Sequence, residues 1–274
     1  MRWRALFFLL FILPSISSLS AKQKKPFFFV VIPSRNNQEY CIENLDSLVK
    51  QDYQNWRAVF INDYSSDRTG NLIEEYVIQK NLRHKIKIVH NHWRKGALAN
   101  IYNAVKMAKK NWVVVTLDGD DTLRGTDVLS HLANIYKKKK VWMTYGNWES
   151  VPAGRLRSDN EAIPKKIIKK NRFRKYKFCT TQLRTFYAGL FRKIRKRDLQ
   201  HKGKYFMAAG DVAFMIPLLE MSSKNHIHFV EKIIYNYRIH PNNDFQVNGP
   251  LQGWCGAQVG KMKRYKPLKK ASWM

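Results

Sequence analysis

Val113-Val114-Val115-Thr116-Leu117 runs straight into Asp118-Gly119-Asp120-Asp121, so an apolar segment fit for a buried strand ends in three carboxylates within four residues. Crowded carboxylates repel one another and persist best around a divalent cation such as Mg²⁺ or Mn²⁺. The bland alternative, for such a tetrapeptide on its own, is a solvated acidic turn closed by Gly119. The upstream chain decides between them. Phe27 to Ile32 is a continuous apolar run followed by the polar loop Pro33 to Asn37, Trp56 to Ile61 ends in Asn62-Asp63-Tyr64-Ser65-Ser66-Asp67, and Lys85 to Val89 is a third such run. Helix spacing fills the gaps over 38–51 (Tyr40, Leu45, Leu48, Val49), about 67–80 and 96–109. This alternation predicts an α/β fold with a mostly parallel central sheet flanked by helices. Its acidic loops then gather at the carboxyl ends of the strands, where open α/β sheets bind ligands.

Downstream the pattern changes. A helix over about 126–136 and a strand from Val141 to Tyr145 precede a long basic stretch, Asn147 to Lys177, with little periodicity; a segment of that length reads as a lid, a binding loop or disorder. Helices are expected over about 180–196 and 211–221, then short strands at 226–230 and 233–238, and a mobile basic tail from Asn242.

With 50 Lys+Arg against 20 Asp+Glu in 274 residues, the formal net charge is +30, which calls for an acidic counterpart: a nucleotide, an anionic sugar, a nucleic acid or an anionic membrane. At 45% hydrophobic residues the chain is no disordered polycation. Cys41, Cys179 and Cys255 are too scattered for a structural zinc site and leave the redox compartment open. Arg2 and Arg4 precede an apolar run from Ala5 to Leu13 and a small-residue stretch to Ala21, so residues 1–21 read as a signal peptide or a short signal anchor.

Val31-Ile32-Pro33, then Asn62-Asp63-Tyr64-Ser65-Ser66-Asp67-Arg68-Thr69, then Leu117-Asp118-Gly119-Asp120-Asp121, resembles glycosyltransferase family 2 with its GT-A fold. Thr144-Tyr145-Gly146, Gln182-Leu183-Arg184-Thr185-Phe186, Gly210-Asp211 and Tyr237-Arg238-Ile239-His240-Pro241 continue the resemblance in order. It implies a metal-dependent, inverting transfer of a sugar from a UDP- or GDP-sugar donor to an acceptor hydroxyl on a glycan, lipid or protein. It further implies a nucleotide-sugar-binding half over 26–122, an acceptor-binding and catalytic half over 123–240, and a basic tail over 241–274.

Residue by residue, the resemblance puts Pro33 and Arg35 against the base or ribose, and Asp63 in a pair with the base. Asn62 stands where the family has a first Asp. Lys95 and Gly96 open a helix whose N-terminus suits phosphate. Asp118 would face the ribose or sugar, Asp120 would ligate Mn²⁺ or Mg²⁺, and His240 stands where some members contact metal or diphosphate. Asp121 either binds metal through water or caps the next helix. Asp211 matches the catalytic base, with an N-cap role as its alternative. Arg184 and the run 165–177, with Phe173, Tyr176 and Phe178 interleaved, fall in the acceptor half and suit an anionic acceptor or a peripheral membrane contact. Trp142 and Trp148 could stack on a sugar, although a strand position makes Trp142 a core residue.

Two rivals come from other classes. Asp118 and Asp120 with Thr122 also fit a haloacid-dehalogenase-like phosphatase motif, but nearly a hundred residues precede the motif here and Gly210-Asp211 lacks a second acid. Nucleic-acid binding suits the charge, yet acidic strand ends would repel a phosphate backbone. For location, a secretory lumen or a membrane-anchored enzyme is expected, with the cytoplasmic membrane face as the alternative.

Overall fold

The computed structural model describes residues 25–152, 156–223, 225–241, 243 and 249–273. The segment 1–21, read as a signal peptide or anchor, lies outside the described residues. Among those described, no helix is long and apolar enough to cross a membrane.

The first half follows the sequence reading. In chain order it comprises β1 (Phe28–Ser34), α1 (Cys41–Val49), β2 (Trp56–Asn62), α2 (Thr69–Gln79), β3 (Ile86–His90), α3 (Ala97–Val105) and β4 (Val113–Thr116). β1 is buried along its whole length, as a continuous apolar run with helices over both faces should be. The four strands are parallel: Phe28 pairs with both Trp56 and Val113, Ser34 with Asn62, and Asn62 with His90. That register brings the acidic strand ends to a single edge.

The second half contains β5 (Thr122–Leu123), α4 (Val128–Lys138), β6 (Met143–Gly146), β7 (Glu149–Val151), α5 (Lys165–Lys169), β8 (Thr181–Tyr187), α6 (Ala188–Phe191), the short pair β9 (Gln200–His201) and β10 (Lys204–Tyr205), α7 (Gly210–Ser222), β11 (Ile227–Val230), β12 (Tyr235–Arg238) and α8 (Gly249–Lys261). One seven-stranded sheet, ordered β11-β6-β8-β4-β1-β2-β3, runs through both halves. A small second sheet, β5-β12-β7, lies at its acidic end. α1, α2 and α4 cover one face of the main sheet, and α3, α6 and α7 the other.

Three expectations are corrected. The helix expected over 180–196 is instead the strand β8, antiparallel to β4 and β6, followed by the short α6. Its Thr, Phe and Tyr content suits a strand with both faces covered. The stretch 147–177 holds β7, α5 and a 3₁₀ turn at Phe173–Lys175 whose Phe173 is buried. The tail expected to be mobile forms α8 and then packs: Cys255, Val259 and Trp273 are buried, and the Leu268 N–H donates to the Met221 carbonyl at 2.9 Å. Trp142 is a core residue, as expected, and Trp148 packs on Tyr237 with ring centroids 4.7 Å apart.

Candidate active site

The loops at the acidic edge are zipped together by their own polar side chains. Asp67 accepts from the Thr69 N–H (3.0 Å) and hydroxyl (2.6 Å) and from the Gln38 N–H (3.0 Å), while the Asn37 N–H donates to Thr69 Oγ1 at 2.8 Å. The loop after β2 is thereby sewn to the loop after β1. Pro33 lies buried at the end of β1 and its carbonyl accepts from the Gly119 N–H at 3.1 Å; Arg35 is exposed beside it. A Cβ on Gly119 would lie 2.4 Å from Ser34 Cβ, so glycine is what lets the two loops touch.

Asp63 is 4% exposed and faces α3. Its Oδ1 accepts from the Lys95 N–H at 2.9 Å and from Asn91 Nδ2 at 2.7 Å, and its Oδ2 from the Gly96 N–H at 2.8 Å. Burial works to raise its pKa, but the Lys95 N–H, the Asn100 and Asn91 amides and the Gly96 N–H together hold it below the ordinary carboxylate value. The backbone N–H groups of Lys95 and Gly96, expected to meet phosphate, are therefore engaged by Asp63. Lys95 Nζ donates to Asn91 Oδ1 at 2.7 Å. Near this edge Tyr64 and Trp93 are 56% and 63% exposed, with Lys95 Nζ lying 5.0 Å over the Trp93 ring.

The Asp118–Asp121 loop is clamped from both sides. From α1, Asn44 Nδ2 donates to the carbonyls of Asp118 (2.8 Å) and Asp121 (2.7 Å). From β12, the Tyr235 hydroxyl donates to Asp121 Oδ2 at 2.7 Å and accepts from the Asp118 N–H at 3.2 Å, while the Arg238 N–H donates to Asp121 Oδ1 at 2.7 Å. Asp121 therefore neither caps α4 nor faces open space; it ties the loop to β12. Burial pushes its carboxyl well above the usual range, with the charges of Asp120 and Asp118 adding to the effect. Asp118 is raised as well, again by burial first, against the opposing pull of Arg184.

Asp120 and His240, expected as metal ligands, do meet: Nε2 of His240 lies 2.9 Å from Oδ2 of Asp120. Arg238 frames the pair, with Nε donating to the Asp120 carbonyl, its guanidinium 4.8 Å over the Tyr40 ring and an ion pair to Glu43. Among the described residues no three His, Cys, Asp or Glu side chains converge as a ready-made cage. One carboxylate and one imidazole nevertheless fit a Mn²⁺ or Mg²⁺ ion that takes its remaining ligands from substrate phosphates and water.

β8 joins this loop to the other half. Gln182 Nε2 donates to Asp118 Oδ2 at 3.0 Å, and Arg184 Nη2 donates to Asp211 Oδ2 at 2.6 Å. Arg184 is 5% exposed and is itself fixed by Nε donating to the Thr180 carbonyl at 3.0 Å. Asp211 lies in the first turn of α7, whose N-cap residue Ala209 takes a positive φ of 49°. The sequence reading missed Asn44, Tyr235, the Asp63 partner Asn91 and Asn100, which accepts from Asn91. Asn44 carried a usable signal, since it breaks the apolar stripe of Cys41, Leu45 and Leu48 on α1 and so needs a buried partner.

Residues 29–195 match the profile of glycosyl transferase family 2, well over half of the chain. The chain belongs to that family. Among curated relatives, the glycosyltransferase GlyG of Streptococcus pneumoniae is 24% identical over 43% of this chain and 38% of its own length. The UDP-Glc:alpha-D-GlcNAc-diphosphoundecaprenol beta-1,3-glucosyltransferase WfgD of Escherichia coli is 28% identical over 44% and 46%. The chain thus matches under half the length of either relative. S. aureus TarS residues 1–349 in complex with UDP-GlcNAc superposes with a TM-score of 0.58 at 18% identity, covering 81% of this chain and 61% of that one. The mannosyltransferase PcManGT from Pyrobaculum calidifontis, in complex with GDP-Man and Mn²⁺, gives 0.54 at 16% identity over 80% and 59%. The fold is GT-A. The phosphatase and nucleic-acid readings find no support in these similarities.

Proposed function

We propose that this family 2 glycosyltransferase moves a sugar from a nucleoside diphosphate sugar to an acceptor hydroxyl by direct displacement, with inversion at the anomeric carbon. The observation that carries the reading is β8: through Gln182 and Arg184, two positions apart, it holds Asp118, from the donor loop, and Asp211, from the acceptor half, at one end of one strand. Tyr64 and Trp93 offer faces for the base, and exposed Arg35 suits the ribose or base. Asp120 and His240 would hold a divalent ion, which neutralises charge growing on the departing diphosphate. Asp211 accepts the proton of the acceptor hydroxyl as the new C–O bond forms and the bond to the diphosphate breaks. Arg184 fixes the direction in which that carboxylate points. UDP- and GDP-sugars are the donors to try first, because TarS and PcManGT are seen with one of each.

The test is a thermal-shift panel of UDP-, GDP- and CDP-sugars with and without Mn²⁺ on the wild type, Asp120→Ala and Asp211→Asn. One nucleotide should stabilise the wild type in a Mn²⁺-dependent way, Asp120→Ala should lose that response, and Asp211→Asn should keep it while losing transfer. An Asp120→Ala protein that responds like the wild type removes the metal site, and turnover by Asp211→Asn removes the base.

A further inference from the structure

The positive charge is gathered by the fold onto one layer. Residues 164–205 carry sixteen Lys+Arg and one acid, Asp198, and residues 249–274 carry six and none. Three segments of this charge, 165–177, 192–197 and 261–270, lie far apart in sequence but meet around Tyr265. Its hydroxyl accepts from the Arg195 N–H (2.9 Å) and donates to Asp198 Oδ2 (2.6 Å). Its carbonyl accepts from Asn171 Nδ2 (3.0 Å), and the Arg195 guanidinium lies 5.1 Å over its ring. The two acids that these segments meet are consumed internally: Asp198 by Arg195 and Tyr265, and fully buried Glu220 by Arg174 and the Tyr265 N–H. The lysines are left uncompensated; Lys169, Lys193, Lys263 and Lys266 are all exposed. Holding so many like charges together costs stability, and an external anion relieves it.

α8 belongs to the same layer, since Arg174 in the 3₁₀ turn donates to the Val259 carbonyl. The helix buries Cys255 and Val259 but leaves Leu251 and Trp254 41% and 44% exposed, with Trp254 set edge-on to His201 at 4.9 Å. Phe178 is exposed next to Lys177.

We propose that this layer is a docking surface for an anionic phospholipid bilayer. Lysines meet the headgroup phosphates, and Trp254 and Leu251 enter the boundary between headgroups and acyl chains. A soluble polyanion would complement the lysines but offers no apolar zone to receive the α8 side chains. The inference stands on the charge layer and α8, independently of the sugar-transfer reading.

The full chain is sedimented with vesicles of phosphatidylcholine alone or mixed with phosphatidylglycerol. The layer is charge-reversed in a quadruple Lys→Glu variant at 169, 193, 263 and 266. An equal reversal on the opposite face, Lys80→Glu, Arg83→Glu, Lys138→Glu and Lys140→Glu, is the control, and melting curves check that both fold. Phosphatidylglycerol should strengthen binding of the wild type and of the control, whereas the layer variant should bind on the order of a thousandfold more weakly. Trp254→Ala should bind several-fold more weakly to vesicles and unchanged to inorganic polyphosphate. Equal losses from both reversals, equal binding to neutral and anionic vesicles, or no effect of Trp254→Ala on vesicle binding would each overturn the proposal.

Discussion

Replacing Asp63 with asparagine preserves shape, yet it should damage the protein nearly as much as alanine does. Every neighbour of this carboxylate is a donor: Asn91 Nδ2 and the Lys95 N–H at Oδ1, the Gly96 N–H at Oδ2. An asparagine amide keeps one acceptor and presents an NH₂, which must then face at least one of those donors whichever way it turns. A buried donor left unsatisfied costs about 1–3 kcal/mol. With three donors in play and partial relief by water or rotation, the net loss is about 3 kcal/mol. For a domain of this size that is a drop in Tm of roughly 6–12 °C at pH 7. The pH dependence carries a sign as well. The folded pKa of Asp63 lies below its unfolded value near 4, so its contribution is fully present above that value and is lost as pH falls through the folded one. Calorimetric melts of wild type, Asp63→Asn and Asp63→Ala from pH 3 to pH 7 should therefore show a wide gap at neutrality that closes on acidification. An Asp63→Asn protein as stable as wild type, with a parallel acid limb and with nucleotide binding lost, would refute this reasoning and restore Asp63 as the contact to the base.

Two further substitutions probe how the two halves are held. Glu220→Ala strips Arg174 of its carboxylate and the Tyr265 N–H of its acceptor and should cost about 3–5 kcal/mol, whereas the double change Glu220→Met with Arg174→Leu should recover part of it, the Tyr265 N–H staying unpaired; urea denaturation reads both. Gly119→Ala forces the Asp118–Asp121 loop off Ser34 and should cost about 1–3 kcal/mol together with the Mn²⁺-dependent nucleotide shift, and Ser34→Gly in the same chain should restore part of each by removing the Cβ it meets.

The first half of the fold was legible because its strands are doubly covered and its helices are amphipathic, so composition and period agree. β8 was not, for a reason that belongs to the site. A central antiparallel strand has no solvent face to impose period two, and two of its seven positions, Gln182 and Arg184, are polar because they hold Asp118 and Asp211. The residues that serve the site are the ones that hid the strand. α8 failed differently: Gly253, Gly256 and Gly260 in its interior oppose a helix on propensity, and burial of Cys255 and Val259 against α7 and the 3₁₀ turn overrides them.

At the site, the sequence identified residues better than it identified their neighbours. Asp120 and His240 meet although 120 positions separate them, because β12 is pinned under the acidic loop by Tyr235 and Arg238. Asp63 stood in the right motif but its partners were invisible, since a strand-end carboxylate can turn either to a ligand or to the next helix and only packing decides. The clue lay in the helices. Asn44 on α1 and Asn100 on α3 sit among buried apolar residues, where an amide needs a partner, and each has one for one of its two ends. Asn44 grips the carbonyls of Asp118 and Asp121, and Asn100 accepts from the same Asn91 amide that reaches Asp63. Each asparagine marks the point at which its helix touches a site loop. A polar residue interrupting an apolar stripe is therefore as informative about where the loops of this sheet edge are anchored as the acidic motifs are about what they carry.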